Sequence, residues 1–276
     1  MGGFRIGRIM GIEVRVHFSW IVIAALVFWT LVSGALPADF AGVAPAVRLL
    51  MALGITALFF LSLLAHELAH SVVAVARGIP VRGITFFLFG GMAETTRDSR
   101  SPGEEFVIAI AGPLCSVLLA ALAFLVWIAG ARWGWPAALT GSAAYIAVLN
   151  AVLAVFNLLP GYPMDGGRVL RAAIWKATGS VGRATLWASR VGVWMAWGLV
   201  AWGVWQALTV DFMGGVWLVL IALFIRSAAK SGYRQHLLGR LQDATREWLV
   251  AAQPAGPGSP PGLTGRDVTD LRPGAR

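Results

Sequence analysis

Residues 59–78 read "FFLSLLAHELAHSVVAVARG", and the reading of this stretch decides the fold. Apart from Ser62, Ser71 and the group His66, Glu67 and His70, everything before Arg77 is apolar. The stretch belongs to an apolar run from about Val47 to Val75. That exceeds the roughly 20 residues that a helix needs to cross a bilayer. A carboxylate and two imidazoles at such depth are costly and tend to be functional. Fold and chemistry are therefore posed by the same residues.

Working outward, the whole chain has the composition of a membrane protein. It has 276 residues, 58% hydrophobic and only 13% charged, and its mean hydropathy is +0.75. A soluble domain carries about twice that charged fraction. Thirteen Trp residues suit the two membrane–water interfaces. Six apolar runs are expected to span: about Phe18–Leu36, Val47–Val75, Phe106–Ala129, Ala143–Leu159, Leu186–Leu208 and Phe212–Ile225. The first run is too long for a signal peptide, and no secreted domain follows it. The expected fold class is an all-α polytopic membrane protein of six transmembrane helices.

Charge supplies a topology. Arg5, Arg8 and Arg15 precede the first span. Arg77, Arg82, Arg97 and Arg100 separate spans two and three, and Arg168, Arg171, Lys176 and Arg183 separate four and five. Arg226, Lys230, Arg234 and Arg240 follow the sixth, whereas the opposite side carries Arg48 and Arg132. Lys and Arg concentrate in cytoplasmic loops, so both termini are expected in the cytoplasm of a multi-pass protein of the cell membrane. An even number of spans agrees. The net charge of +9 is thus topological. No basic stripe with interleaved aromatics marks a nucleic-acid surface, and no nucleic-acid partner is expected. The single Cys115 excludes an intramolecular disulfide and a Cys/His zinc finger.

Two connecting segments have their own character. "IPVRGITFFLFGGMAE" (79–94) opens on a turn, continues in β-favouring residues and contains Gly90-Gly91. It reads as a short hairpin or loop dipping back toward the membrane. Residues 1–230 form the membrane domain, with core spans 47–75, 106–129 and 143–159. Residues 231–252 have the spacing of an amphipathic cytoplasmic helix, and 253–276 form a flexible Pro/Gly-rich tail.

On a helix, positions i and i+4 share a face, so His66 and His70 can point at one ion. Glu67 lies beside the first of them. This is the His-Glu-x-x-His arrangement of zinc hydrolases, in which the glutamate is the general base. A catalytic zinc takes three protein ligands and leaves one position open, so two histidines leave the site one ligand short. Asp165, in "NAVLAVFNLLPGYPMDGGRVLRA" (150–172), follows the end of span four. Spans two and four run in the same direction, which brings Asp165 to the cytoplasmic end that holds His66 and His70. Asp165 reads as the third zinc ligand or as the N-cap of a following helix; the roles are compatible. Asn150 and Asn157, on span four, read as interhelical hydrogen-bonding residues or as contacts to a substrate backbone. A competing class is a polytopic metal-handling or transport protein, for which His and Asp inside spans could form an ion path. The spans show no repeated halves of the transporter kind.

Four motifs together, "HELAH" (66–70), "LFGGMAE" (88–94), "EFVIAIAGPLCS" (105–116) and "NLLPGYPMDGGRVLRA" (157–172), carry a resemblance. They resemble the site-2 protease family of intramembrane zinc metalloproteases, in its six-span bacterial and archaeal subgroup. The resemblance runs from about Gly3 to Ala229. It implies one Zn2+ per chain on His66, His70 and Asp165, with Glu67 as catalytic base. It implies that Gly90-Gly91 belongs to a membrane-associated loop that pairs with an extended substrate. The implied substrates are transmembrane proteins such as a membrane-bound anti-sigma factor, a pro-sigma factor or a signal-peptide remnant. Many members of this subgroup carry two CBS domains after the sixth span. "GRDVTDLRPGAR" is faintly like the opening of one, and no complete CBS domain follows.

Overall fold

The computed structural model describes residues 3–87 and 90–251; the tail expected at 253–276 lies outside the described residues. Two strands, β1 (Gly3–Ile9) and β2 (Ile12–His17), come first. Helix α1 (Phe18–Thr30) runs through a π-helical turn at Leu31–Ala35 into the short α2 (Leu36–Asp39). Then follow α3 (Pro45–Ala76), strands β3 (Val81–Phe87) and β4 (Gly90–Thr95), α4 (Pro102–Arg132) and α5 (Ala137–Asn157). The short α6 (Asp165–Thr178) precedes α7 (Val181–Thr209) and α8 (Phe212–Ala251). Residues up to Arg234 form one compact unit, and the part of α8 from Gln235 onward belongs to a second.

Six helical stretches are long and apolar enough to cross a membrane: Phe18–Asp39, Pro45–Ala76, Pro102–Arg132, Ala137–Asn157, Val181–Thr209 and Phe212–Arg234. Each overlaps one expected apolar run. The sixth is longer than its apolar stretch, because the helix carries Arg226 and Lys230 along with it. Side-chain placement is that of helices solvated by lipid. On α7 the buried Ala184, Ala188, Gly192 and Ala196 recur every fourth residue, while Trp187, Trp194, Trp202 and Trp205 point outward. Lipid offers no hydrophobic drive between helices, so small residues pack the interfaces and large apolar ones face the tails.

The strands form one four-stranded sheet in the order β1-β2-β3-β4. β3 and β4 are the hairpin expected between spans two and three. The N-terminal hairpin was not expected: residues before span one read only as an arginine-bearing loop. The reason for it is the period-two alternation of "IEVRVH", which buries Ile12, Val14 and Val16 and exposes Arg15. β2 pairs in parallel with β3, from Glu13↔Gly83 to Val16↔Phe86. A parallel pairing across so long a stretch of chain leaves no local trace in sequence. The pairing brings the segment before α1 and the connection between α3 and α4 to the same end of the helices. The buried faces of β2 and β3 pack with Ala74 of α3 and Ile108 of α4 in one apolar cluster.

Ile84 lies at the centre of that cluster with no exposed surface. We expect Ile84→Ala to cost about 2–4 kcal/mol. Ile6→Ala, at an exposed position of β1, should change stability by less than about 0.5 kcal/mol. Thermal unfolding in detergent compares the two.

Candidate metal centre

Helix α3 starts at Pro45, whose fixed φ suits a first helical turn, and runs far enough to bury His66 and His70 one turn apart. Their Nε2 atoms are 3.3 Å from each other. Each lies 3.1 Å from Oδ2 of Asp165. His66 and His70 are buried and the Asp165 side chain is 13% exposed. The sequence thus brings its three expected metal ligands together. Ligand atoms around a tetrahedral zinc at about 2.0–2.1 Å stand roughly 3.3 Å from one another, and these three match that spacing.

Helix α4 fixes both imidazoles with one face, Ile108, Gly112 and Ser116 at four-residue intervals. His70 Nδ1 donates to the Ile108 carbonyl at 2.7 Å. A carbonyl only accepts, so Nδ1 carries a proton, and Nε2 is the ring nitrogen that faces Asp165. His66 Nδ1 lies 2.9 Å from the buried Ser116 hydroxyl. Hydrogen bonds of this kind to the far ring nitrogen orient metal-binding histidines. Between them stands Gly112. A Cβ there would lie 2.2 Å from His70 Nε2 and 2.6 Å from His66 Nε2, so only glycine lets α4 close on the pair. Two ring nitrogens and a carboxylate crowded within hydrogen-bond distance need a proton or a cation among them. The donor set therefore fits a metal ion.

Asp165 reaches the site from α6, which it opens. The N-cap position belongs to Met164, so the carboxylate is not spent on capping the helix. Before it, the loop from Leu158 is pinned to α7, where the Tyr162 N–H donates to the Ala188 carbonyl at 3.2 Å. Burial raises the Tyr162 phenol to about 12, so it stays neutral beneath Arg171, whose guanidinium is 6.0 Å from the ring centre. Burial also acts to raise the Asp165 carboxyl, but hydrogen bonds with His66 and His70 outweigh it. The carboxyl is held well below the usual carboxylate range and remains an anionic donor.

A second polar group, missed in the sequence, holds α6 in place. Glu105 of α4 is 1% exposed. Arg168 Nε donates to its Oε1 at 3.1 Å, and Arg171 Nη2 lies 2.6 Å from its Oε2. Arg168 and Arg171 follow Asp165 by one and two helical turns. In the sequence they read as topology-setting loop charges. The signal that could have found the group is Glu105, the inner of two adjacent carboxylates (Glu104-Glu105) at the mouth of an apolar run, with arginines waiting elsewhere.

The remaining expected residues divide. Glu67 lies beside Gly91 of β4: a Cβ on Gly91 would fall 2.5 Å from Glu67 Cγ and 2.7 Å from its Cδ. A side chain there would displace the carboxylate. Gly90 pairs with Phe87 at the turn of the hairpin. Asn150 is fully buried and donates from Nδ2 to Ser62 Oγ at 3.1 Å, one turn before His66, while its Oδ1 has no hydrogen-bond partner. Asn157 is not brought to the cluster; its amide donates to Leu153 O of its own helix at 3.0 Å.

Fold and site together define a multi-pass membrane protein with a buried His-His-Asp centre that could hold a metal ion. A family model described as peptidase family M50 matches residues 54–139 and 131–199. The chain is 40% identical to Rip3 of Mycobacterium tuberculosis, named as a zinc metalloprotease, over 82% of this chain and 57% of that protein. It is 37% identical to sll0528 of Synechocystis, also named as a zinc metalloprotease, over 96% of this chain and 69% of that protein. The solved site-2 protease from Methanocaldococcus jannaschii superposes with a TM-score of 0.55 at 26% identity, over 84% of this chain and 95% of that one. This chain belongs to peptidase family M50, the site-2 protease family. It spans between 57% and 69% of the length of Rip3 and sll0528.

Two substitutions separate the roles found here. Gly112→Val should leave a folded protein with metal content, read by plasma mass spectrometry, near zero. Glu105→Ala strands two arginines that are partly solvated, at 30% and 14% side-chain exposure. It should lower unfolding stability by about 2–3 kcal/mol and reduce metal content with it.

Proposed function

We propose that this chain is an intramembrane zinc metalloprotease that hydrolyses peptide bonds in or near transmembrane segments of membrane proteins. The observation that carries the reading is the meeting of His66, His70 and Asp165 next to Glu67 inside a six-span fold. In this reading His66, His70 and Asp165 hold one Zn2+ and Glu67 is the catalytic base. Bound there, zinc supplies Lewis acidity that polarises a carbonyl and makes water more acidic. Glu67 takes a proton from the attacking water and delivers it to the departing amine nitrogen. Histidine orientation by Ile108 and Ser116 keeps the donors convergent without rearrangement during the reaction.

The substrate poses a separate physical problem. A transmembrane helix keeps its backbone groups bonded internally, so its scissile carbonyl is out of reach until it unwinds. Strand β4 pairs with β3 along one side and is an edge of the sheet, and Gly91 sits against Glu67. An unwound stretch added to that edge recovers its hydrogen bonds beside the base. Gly90 and Gly91 are the residues of β4 that would pair with it, Gly91 leaving room for the Glu67 carboxylate, and Asn150 supports the site from Ser62. The positive-inside distribution favours cytoplasmic termini and a site on the cytoplasmic side. Membrane-bound anti-sigma factors, pro-sigma factors and signal-peptide remnants fit as substrates. Residues 1–230 act as the proteolytic domain, with an amphipathic helix at 231–252 attached.

Glu67→Gln should retain zinc at one per chain while cleavage of a co-expressed transmembrane substrate falls by at least about 100-fold. Cleavage at the wild-type rate would remove Glu67 from the mechanism. Asp165→Ala should lower zinc content at equal expression; a stoichiometric ion in that variant would mean that another residue completes the site.

A further inference from the structure

A second concentration of charge lies far along the chain from the metal centre. Helices α7 and α8 pack side by side, and the Ser189 hydroxyl donates to the Ala229 carbonyl between them at 2.6 Å. Next to this bond is a cavity of about 400 Å³, lined by Arg190, Lys230 and Arg234 and by the apolar Leu186, Val193 and Trp194. Tyr233 adds a hydroxyl to the wall. Among the described residues, no carboxylate lines it. Among the described residues, no ion pair involves any of the three cations. Arg190 is instead stacked 5.5 Å from the Trp187 ring centre.

The pattern continues into the span. Arg226, Lys230 and Arg234 follow one another at four-residue intervals and so share a face of α8. Arg226 is stacked 4.8 Å from the Trp197 ring centre, and its Nε is buried without a hydrogen-bond partner. Like charges facing one cavity repel. An anion relieves it. Free phosphate would satisfy the charges and leave the Leu186, Val193 and Trp194 wall without a partner. A ligand with a phosphate head and a hydrocarbon tail satisfies both. The exposed Trp187 and Trp194 beside the cavity suit the interfacial depth at which lipid phosphates lie.

We propose that the cleft between α7 and α8 is a binding site for an anionic phospholipid. Its phosphate is held by Arg190, Lys230 and Arg234, and an acyl chain lies along Leu186, Val193 and Trp194. Basic pockets between transmembrane helices recognise lipid headgroups through this combination of charge and apolar wall. The proposal is independent of the proteolytic reading, since binding is measured without substrate.

The test is native mass spectrometry of the delipidated full chain in a neutral detergent, titrated with phosphatidylglycerol or phosphatidylcholine. One phosphatidylglycerol should bind at least about tenfold more tightly than phosphatidylcholine. Arg190→Gln, Lys230→Gln and Arg234→Gln combined should weaken it roughly 100-fold, and Lys230→Gln alone about fivefold. Arg77→Gln, Arg82→Gln and Arg100→Gln combined remove the same charge from exposed positions elsewhere. They should leave affinity within about threefold. Equal loss in that second triple variant would mean diffuse attraction and overturn the site. Equal binding of phosphatidylcholine, or full displacement of phosphatidylglycerol by inorganic phosphate, would overturn it as well.

Discussion

The structure depends on one constraint: two imidazoles and a carboxylate must meet at hydrogen-bond distance inside a bundle made of apolar helices. Nothing in lipid satisfies such groups, so the protein has to. His66 and His70 come from α3 and Asp165 from α6, and α4 lies between them as the common support. One face of α4 receives His70 on Ile108 O and His66 near Ser116, and leaves room for both at Gly112. The base of the same helix holds α6 through Glu105, Arg168 and Arg171. A helix that is mostly hydrocarbon therefore carries a line of polar and small groups from one end to its middle, set by what the neighbouring helices bring.

The sheet answers a related demand. Irregular backbone at membrane depth is tolerated only where protein covers it. Here the connection between α3 and α4 is covered by pairing with β2, whose alternate residues fill the same apolar cluster as Ile84 and Ile108. That leaves β4 at an edge with Gly91 against Glu67. On the proposed function, the sheet is both the plug that makes the connection stable and the template on which a substrate loses its helix.

Much of this was legible in the sequence. The six spans follow from apolar runs, because a bilayer imposes length directly. The candidate metal centre is marked by the His-Glu-x-x-His spacing; the parity of the spans puts Asp165 at the same end, and the family resemblance names it as the third ligand. What the sequence hides depends on contacts between distant segments. The β2–β3 pairing joins residues 13–16 to 83–86, and no local pattern names the partner of "IEVRVH". Arg168 and Arg171 look like any loop arginines until Glu105 is placed beside them. Gly112 reads as a small residue in an apolar helix, and its clash with both imidazoles exists only in three dimensions. Asn150 and Asn157 both read in sequence as interhelical or substrate-contacting residues of span four, yet one bridges to Ser62 and the other bonds within its own helix.

The central claim is that His66, His70 and Asp165 hold one zinc ion. An experimental structure of the zinc-loaded protein, with anomalous diffraction recorded on both sides of the zinc absorption edge, tests it most directly. The account predicts a single strong peak at about 2.0–2.2 Å from His66 Nε2, His70 Nε2 and an Asp165 carboxylate oxygen. A peak at other side chains, or stoichiometric zinc with no peak between α3 and α6, would contradict it.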